Sequence, residues 1–526
     1  MLRLLIIFGL LNLLFLALEI PRHAGFGPNW LALDAALLAG LFALLPPGRG
    51  TTRIARLAGW LFAVLTLLTL ADAFARLSLS RPVNLYVDYP LARSVYHLTA
   101  GNVALPGALL AALLVLLAVA AIGLLVSRLL VRLPGGRGTA QTGLATVLIL
   151  VGAAGTTAFH AGEAVPNLPR AITPGITLVL DQFRFGREAR SERLAFETEL
   201  ERERDDGSGT RLEGLAGIDV IVGFIESYGV SALFDDRYSP VVGARLDALG
   251  RRADESGLHV ATGLVNAPMF GGQSWLTHAS LLSGLWISSQ TRYELLLGTE
   301  RSTLVRDFER TGHRTLAVMP AIVRSWPEGR WYGFDKILGA GDIPYAGPAF
   351  NWVTIPDQYV WAHFEQKLRR SDDRPVFAKL ALVSSHAPWV PVLPVLDDWD
   401  AIGDGSVFRQ WEGSGEAPEA VWRDPARVRE AYADSVAYAL EVAGAYTVRY
   451  TDERTLLVLI GDHQPASIIT GRDPSPAVPV HVVSGDPALL EPFIQRGFVP
   501  GVWPDGEFTG TGMDRFRHWL HEAFGR

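Results

Sequence analysis

The sequence predicts an N-terminal region of five membrane-spanning helices followed by a mainly parallel α/β domain. Residues 1–162 of the 526-residue chain contain five long apolar runs, whereas the remainder alternates short apolar strands with charged helical stretches. Apolar runs of about 20 residues are typical of transmembrane helices, and alternating strands and helices are typical of a parallel sheet covered by helices. We therefore assign 1–162 to a transmembrane region, 163–213 to a linker and 214–526 to the α/β domain.

Each of the five apolar runs is long enough, or nearly long enough, to cross a bilayer. They are Leu2–Leu18, Trp30–Leu45, Ala58–Ala75, Leu105–Val126 and Gly143–Ala161. The second run is the shortest and contains Asp34. The first has no clean small-residue cleavage site, and further runs follow it, so we interpret it as a span and not as a signal peptide.

The placement of arginine predicts the orientation of these spans. Two connections are rich in arginine, and an excess of basic residues is typical of cytoplasmic loops. These residues are Arg49, Arg53 and Arg56 in the second connection and Arg128, Arg132 and Arg137 in the fourth. An odd number of spans beginning inside places the chain after Ala161 outside the cytoplasm. One miscounted span would instead place the α/β domain in the cytoplasm.

The linker 163–213 combines two kinds of segment. Its first part has scattered aromatic and aliphatic residues that suit the membrane surface. The stretch REARSERLAFETELERERDD then predicts a solvated, charged helix that ends before the glycines of Gly207–Gly209.

Composition excludes several classes of function. The net charge is −7, and no basic stripe with interleaved aromatic residues is present, so nothing indicates nucleic-acid binding. The chain has no cysteine, which excludes disulfides, thiolate metal ligands and cysteine nucleophiles.

Titratable residues stand at the ends of three predicted strands. The predicted strands are IDVIVGFIES, HRTLAVMPA, PVFAKLALVSSH, TLLVLIGDH and PAVPVHVVSG. The first ends in Glu226, the third in His386 and the fourth in Asp462–His463. Each of these residues alone suits a helix cap or a turn. Because a parallel sheet brings the carboxyl ends of its strands to one edge, together they predict a ligand site there.

Glu226, Asp462 and His463 have the ligand chemistry of a zinc or manganese site that lacks one ligand. A hydroxyl group would complete the site, and a metal-bound serine loses its proton more readily and can attack phosphorus. The stretch GGQSWLTHASLLSG, Gly271–Gly284, offers Ser274 directly after paired glycines at the start of a predicted helix. It is not a nucleotide-binding phosphate loop, because no Gly-Lys-Ser/Thr follows.

These residues, in this order, resemble the alkaline phosphatase/sulfatase superfamily. They are similar in particular to its membrane-bound branch, which includes the lipoteichoic acid synthases and the phosphoethanolamine transferases. The motifs that carry the resemblance are FIESYG, GGQSWLTHASLLSG, SSHAPW and LIGDHQP. That branch has five spans followed by an extracytoplasmic, sulfatase-like α/β domain. The formylglycine signature of sulfatases is absent, which argues against sulfate ester hydrolysis, and the absence of disulfides favours the synthase-like side.

The resemblance implies transfer of a phosphate-bearing headgroup, of the glycerol phosphate or phosphoethanolamine type, from a membrane phospholipid to a glycan or lipid. Ser274 would be both nucleophile and ligand of one manganese or zinc ion, together with Glu226, Asp462 and His463. His386 would contact the phosphate oxygens or assist the leaving group. The expected location is the bacterial inner membrane, with the catalytic domain in the periplasm.

Four further residues are weaker candidates. Thr277 is the alternative nucleophile, because the transferases typically use threonine, although a residue one turn on can also cap or pack. Trp326 and Arg330, in SWPEGRWYGFDKILG, resemble the place where synthase-like members hold the lipid headgroup. Arg330 could pair with a phosphate through two hydrogen bonds or form a surface salt bridge. His481 is either a further ligand or a buried core histidine.

Two alternative functions use the same residues differently. The first is hydrolysis of phosphate mono- or diesters at the same site, without an acceptor other than water. The second is a non-catalytic role as a sensor or scaffold in envelope assembly. Retention of all four candidate ligands argues against the second alternative.

Overall fold

The computed structural model describes residues 1–20, 29–79, 81–89, 105–134, 138–161, 171–202, 210–324, 326–471, 473–505 and 510–525. Arg137 and the segment Gly207–Gly209, before which the charged helix is predicted to end, lie outside the described residues. The chain forms two compact units, Met1–Leu77 with Arg81–Leu194 and Ser78–Ser80 with Ala195–Arg526. The boundary between the units falls inside a helix, and the predicted bounds of the linker, 163–213, stay a prediction.

All five predicted apolar runs are helical in the first unit. Its helices are α1 (Leu2–Ala17), α2 (Leu33–Leu44), α3 (Arg49–Leu79), α4 (Leu85–Asp88), α5 (Leu105–Val131), α6 (Thr139–His160) and α7 (Pro174–Arg202), the last of which continues into the second unit. Among the described residues, α3, α5 and α6 are long and apolar enough to cross a membrane. Helices α1 and α2 are shorter, at 16 and 12 residues, so the count of five spans stays a prediction.

Small residues allow the apolar helices to pack closely. A Cβ added to Gly40 of α2 would lie 2.7 Å from the carbonyl oxygen of Ala145 in α6. Gly59 of α3 and Gly123 of α5 similarly face each other with no room for a side chain. Glycine at such crossings lets the backbones approach, which is the usual basis of helix association in an apolar medium.

Asp34 has a structural role that explains its place in an apolar run. Its Oδ1 accepts a hydrogen bond from the backbone N–H of Ile176, in the first turn of α7, at 2.8 Å. A carboxylate at a helix N-terminus satisfies a free backbone donor. Two-residue parallel strands, β1 (Leu31–Ala32) and β2 (Ala171–Ile172), bring the same two segments together.

The second unit is built on an eight-stranded sheet. Its strands are β3 (Asp219–Ile225), β4 (His259–Asn266), β5 (Arg314–Met319), β6 (Lys336–Gly339), β7 (Val376–Leu382), β8 (Thr455–Gly461), β9 (Ala477–Ser484) and β10 (Val499–Pro500), in the order β10-β4-β9-β8-β3-β7-β5-β6. All five predicted strands are present. The sheet is mixed, because β9 pairs antiparallel with β8 and with β4, and β4 pairs antiparallel with β10. The five strands from β8 to β6 are parallel.

Helices cover both faces of this sheet. They are α8 (Ser231–Phe234), α9 (Ser239–Glu255), α10 (Ser274–Ser283), α11 (Gln290–Leu297), α12 (Leu304–Arg310), α13 (Gly329–Tyr332), α14 (Asp357–His363), α15 (Pro418–Val421), α16 (Pro425–Tyr450), α17 (Ser467–Thr470), α18 (Glu491–Ile494) and α19 (Arg515–Phe524). Within β3, Ile221 and Ile225 join one hydrophobic core, and Val222 and Phe224 join the other. Burial on both faces explains the continuous apolar character of the strand.

Candidate active site

Strand register brings the predicted acidic ligands together. Ile225, the last residue of β3, pairs with Gly461, the last residue of β8. Each is followed by one of the acidic residues, so Glu226 and Asp462 leave adjacent parallel strands at the same level. Gly461 must be glycine here, because a Cβ would overlap the carbonyl oxygen of Tyr228.

Glu226, Asp462 and His463 form a compact, buried group. One ligand atom from each lies within 4.8 Å of the others, and among the described residues this is the group of His, Asp and Glu that could hold a metal ion. Nε2 of His463 lies 3.4 Å from Oε1 of Glu226 and 3.7 Å from Oδ2 of Asp462. The three side chains therefore direct their oxygen and nitrogen atoms at one point.

Ser274 supplies the fourth polar atom of this group. Its Oγ donates to Oε2 of Glu226 at 3.3 Å and lies 3.2 Å from Nε2 of His463. Gly271, Gly272 and Gln273 all have positive φ, at 64°, 144° and 63°. This left-handed turn, which glycine adopts most readily, ends at Ser274 as the first residue of α10.

The backbone of Gln464 fixes both His463 and the serine loop. Its carbonyl oxygen accepts from the N–H of Gly271 at 2.8 Å and lies 2.9 Å from Nδ1 of His463. With Nδ1 donating to this carbonyl, Nε2 is the ring nitrogen of His463 that faces Ser274. One peptide group thus fixes the orientation of the imidazole and the position of the nucleophile loop.

The pKa values reflect the crowding of charge in this site. Burial alone would raise the pKa of Glu226, but His386 and His463 outweigh burial and lower it below its usual range. Burial and then the charge of Glu226 raise the pKa of Asp462 from 3.8 to about 7. Burial would lower the pKa of His463, but Asp462 and Glu226 raise it to about 9. The charge of Glu226 thus disfavours a second charge on Asp462, and both carboxylates favour the protonated form of His463.

This donor set fits a divalent cation. It consists of two carboxylate oxygens, one imidazole nitrogen and one hydroxyl oxygen, the chemistry that zinc and manganese accept. Burial and the charge of Glu226 raise the pKa of Asp462, and a bound cation would relieve this repulsion because the ion is then the largest local charge. Glu226, Asp462, His463 and Ser274 are the residues that would hold it.

His386 lies beside this group without a recorded hydrogen bond to it. Its Nδ1 contacts the carbonyl oxygen of Ala387 at 2.5 Å, and its ring stacks on Trp352 at a centroid distance of 5.9 Å. The neighbouring Ser385 donates to the backbone oxygen of Glu226 at 2.6 Å. The end of β7 is therefore tied to the end of β3, and His386, the residue after Ser385, helps to lower the pKa of Glu226.

The structure separates the two candidate hydroxyls. Thr277 is fully buried, and its Oγ1 has no hydrogen-bond partner among the described residues. Ser274 is partly exposed and contacts Glu226 and His463. The hydroxyl placed at the acidic group is that of Ser274.

His481 has the geometry of a buried core histidine. Its Nε2 lies 3.0 Å from the hydroxyl of Tyr228, and its Nδ1 lies 2.9 Å from Oγ1 of Thr262. It stands in the middle of β9, which runs antiparallel to β8. Both ring nitrogens are thus engaged away from the group of Glu226, Asp462 and His463.

No recorded contact among the described residues joins Trp326 or Arg330 to the ligand group. Trp326 is partly buried and its ring lies 5.8 Å from that of Tyr332. Arg330 is exposed in the short helix α13. Their role in holding a headgroup stays a prediction.

Three supporting features were missed from the sequence. Ser227 has φ of 57° and donates its N–H to Oδ1 of Asp462 at 2.8 Å. Lys379 is buried in β7 with its Nζ 2.9 Å from Nδ1 of His278, and burial lowers its pKa from 10.5 to about 7. The third feature is the carbonyl of Gln464, which contacts both Gly271 and His463. The sequence offers two signals for these features. One is Lys379 inside an apolar strand, and the other is the polar residue that follows each ligand motif, Ser227 after Glu226 and Gln464 after His463.

No protein-family model and no curated protein matches the chain. Solved structures do match. The lipoteichoic acid synthase LtaP from Listeria monocytogenes is 13% identical with a TM-score of 0.38, over 58% of this chain and 72% of that one. A protein in the alkaline phosphatase superfamily from Vibrio parahaemolyticus is 15% identical with a TM-score of 0.36, over 51% and 60%. The Streptococcus pyogenes phosphoglycerol transferase GacH is 14% identical with a TM-score of 0.38, over 64% and 80%.

These matches have low identity and partial coverage, and no activity is taken from them. One of these structures is a protein in the alkaline phosphatase superfamily, which is the superfamily that the four motifs resemble.

Proposed function

We propose that the chain is a metal-dependent phosphotransferase that uses Ser274 as its nucleophile. The observation that carries this proposal is the position of the Ser274 Oγ, 3.3 Å from Glu226 and 3.2 Å from His463, beside two buried carboxylates. A manganese or zinc ion held by Glu226, Asp462, His463 and Ser274 would lower the pKa of the hydroxyl and offset the charge of a phosphate group.

The first step moves a headgroup from a phospholipid to the protein. The Ser274 oxygen attacks phosphorus, a new Oγ–P bond forms, and the bond from phosphorus to the diacylglycerol oxygen breaks. The proton of the serine hydroxyl passes to solvent, which reaches the partly exposed side chain. His386 gives a proton to the departing oxygen, using the Nε2 that its contact with Ala387 leaves free.

The second step passes the headgroup to an acceptor. A hydroxyl of a glycan or lipid attacks the same phosphorus, and the bond to Ser274 breaks. His386 takes the proton of the incoming hydroxyl, and the Ser274 oxygen takes a proton back from solvent. The positive end of α10, where Ser274 lies, favours the negative charge of the phosphate in both steps.

The membrane region supports a lipid donor. Helices α3, α5 and α6 are apolar and long enough to span a bilayer, and a tethered catalytic domain meets a lipid at high effective concentration. In this proposal the chain crosses the bacterial inner membrane five times and carries its catalytic domain outside the cytoplasm. Trp326 and Arg330 contact the headgroup, which is of the glycerol phosphate or phosphoethanolamine type.

Turnover of a phospholipid labelled in its headgroup tests the proposal. Full-length protein in micelles with manganese or zinc should release diacylglycerol and move the label to an added glycan or lipid acceptor. Ser274→Ala should abolish both, whereas Thr277→Val, one turn away on the same helix, should retain them. Release of the label into water at full rate without an acceptor would show a hydrolase instead. A protein that neither binds metal nor turns over any phospholipid would be a scaffold.

A further inference from the structure

The first unit contains an arginine-lined cavity at the ends of two apolar helices. It has a volume of about 510 Å³ and is lined by Arg49, Arg53 and Arg56 at the start of α3 and by Val131 and Pro134 at the end of α5. Gly59 and Gly123, in the same two helices, face each other with no room for a side chain. This close crossing holds the two helix ends together beside the cavity.

Three arginines of the cavity lie apart from the carboxylates of the described residues, since none of the ion pairs found there includes Arg49, Arg53 or Arg56. The sequence explains this, because it contains no Asp or Glu in 35–71 or in 89–162. All three side chains are exposed, so their guanidinium groups are free to turn toward a common ligand. A concave site with several guanidinium groups and no acid selects for an anion.

The two threonine hydroxyls of the cavity are engaged within the protein. The hydroxyl of Thr51 donates to the carbonyl oxygen of Pro46 at 2.6 Å, and that of Thr52 donates to the carbonyl oxygen of Gly48 at 3.1 Å. The arginines are therefore the side chains of this cavity that can turn toward a ligand. Guanidinium groups bind the oxygens of phosphate in a bidentate manner, which lysine cannot do.

The position of the cavity indicates the form in which the phosphate arrives. α3 and α5 are two of the helices long and apolar enough to cross a membrane, so their charged ends lie at the level of lipid headgroups. Basic pockets between such helix ends bind anionic headgroups. We propose that this cavity binds the phosphate of an anionic phospholipid at the membrane face that carries the arginines. This site is separate from the proposed donor site and does not depend on catalysis.

Lipid retention by the full-length protein tests this assignment. The protein is purified in neutral detergent and mixed with equal amounts of phosphatidylglycerol and phosphatidylcholine, and bound lipid is measured by native mass spectrometry. Wild type should retain phosphatidylglycerol in preference to phosphatidylcholine. Arg53→Gln with Arg56→Gln should weaken that retention by roughly 25-fold, about fivefold per arginine.

The matched control removes the same amount of charge from the end of α5, next to the cavity. Arg128 and Arg132 lie at the end of α5 but do not line the cavity, so Arg128→Gln with Arg132→Gln should retain the lipid. Equal losses in the two double variants would show a diffuse charge effect and overturn the proposal. If the glutamine variant fails to fold, Arg53→Lys with Arg56→Lys replaces it in the test. This variant keeps the charge but loses the bidentate hydrogen bonds, so it should bind phosphatidylglycerol more weakly than the wild type and more strongly than a variant without the charge.

Inorganic phosphate distinguishes a lipid site from a site for a free anion. Added at millimolar concentration, it should leave phosphatidylglycerol bound, because the lipid also places its chains beside the apolar helices. Displacement of the lipid by phosphate alone would contradict the lipid assignment. A wild-type protein that retains both lipids equally would contradict it as well, whatever its catalytic activity.

Discussion

Asp462→Asn separates metal binding from folding at the candidate site. Oδ1 of Asp462 accepts from the N–H groups of Ser227 and His463 at 2.8 and 2.7 Å. An asparagine carbonyl oxygen accepts the same two hydrogen bonds. The substitution therefore keeps these contacts and removes the negative charge that faces Glu226.

The pKa of Asp462 gives the size of the effect in the metal-free protein. Its value is raised from 3.8 to about 7, first by burial and then by Glu226. For a carboxyl group raised in this way, the destabilisation is absent below pH 3.8 and complete above pH 7. A difference of about 3 pKa units corresponds to about 4 kcal/mol. The variant also loses the attraction between His463 and the charge of Asp462, which offsets part of this gain. We therefore expect the free energy of unfolding at pH 7.5 to rise by about 2 kcal/mol, about half of the full value.

Metal binding should change in the opposite direction. Loss of even an outer partner of a ligand lowers metal affinity by about 10–100-fold, so loss of a direct carboxylate ligand should cost at least about 100-fold. A cation present at about 100 times its Kd stabilises the wild type by about 2.7 kcal/mol. The same concentration should leave the variant almost unchanged.

Thermal unfolding of the full-length protein in detergent at pH 7.5, with EDTA or with manganese or zinc, measures both effects. Asp357→Asn is the control, because Asp357 is also buried and its pKa is also raised to about 7, while its Oδ1 accepts from the N–H groups of Val383 and Ser384. It should retain the metal response. An Asp462→Asn protein that is less stable without metal and responds to metal like the wild type would refute the reasoning.

Two further predictions concern buried polar groups near the site. Thr277→Val should raise the free energy of unfolding by about 1 kcal/mol, because the Oγ1 of Thr277 is buried without a partner among the described residues. Turnover should be unchanged. A loss of stability or of turnover in this variant would contradict a packing role for Thr277. Burial lowers the pKa of His481 from 6.5 to about 4, so its contribution is complete above pH 6.5 and falls by about 3 kcal/mol as the pH drops to 4. Denaturant unfolding of His481→Gln should show a flatter pH dependence over this interval, and an unchanged slope would count against this assignment.

The parallel half of the sheet follows from the sequence for a simple physical reason. Strands buried on both faces have continuous apolar runs, and polar residues that interrupt such runs at their ends are visible without a structure. Glu226 and Asp462 were grouped on this basis, and the register of β3 with β8 places them side by side. Ser274 was selected by its paired glycines, which form the left-handed turn before α10.

The remaining features depend on information that an apolar pattern does not contain. The direction of β9 is not visible in its residues, so the sheet was expected to be more parallel than it is. The strand β4, with its Thr262 and Gly263, lacks a continuous apolar run and was missed. The carbonyl of Gln464 acts through its backbone, and every residue has a carbonyl. The contact between Lys379 and His278 joins residues 101 positions apart.

Location of the covalent adduct tests the central claim most directly. The full-length protein, loaded with manganese or zinc, is exposed to a phospholipid donor without acceptor, quenched in acid and digested, and the peptide spanning Gly271–Gly284 is sequenced by mass spectrometry. The account predicts a phosphate-bearing headgroup on Ser274, none on Thr277, and no adduct in Glu226→Gln. A protein that binds metal and turns over the donor while Ser274 stays unmodified, or one modified at Thr277, would contradict it.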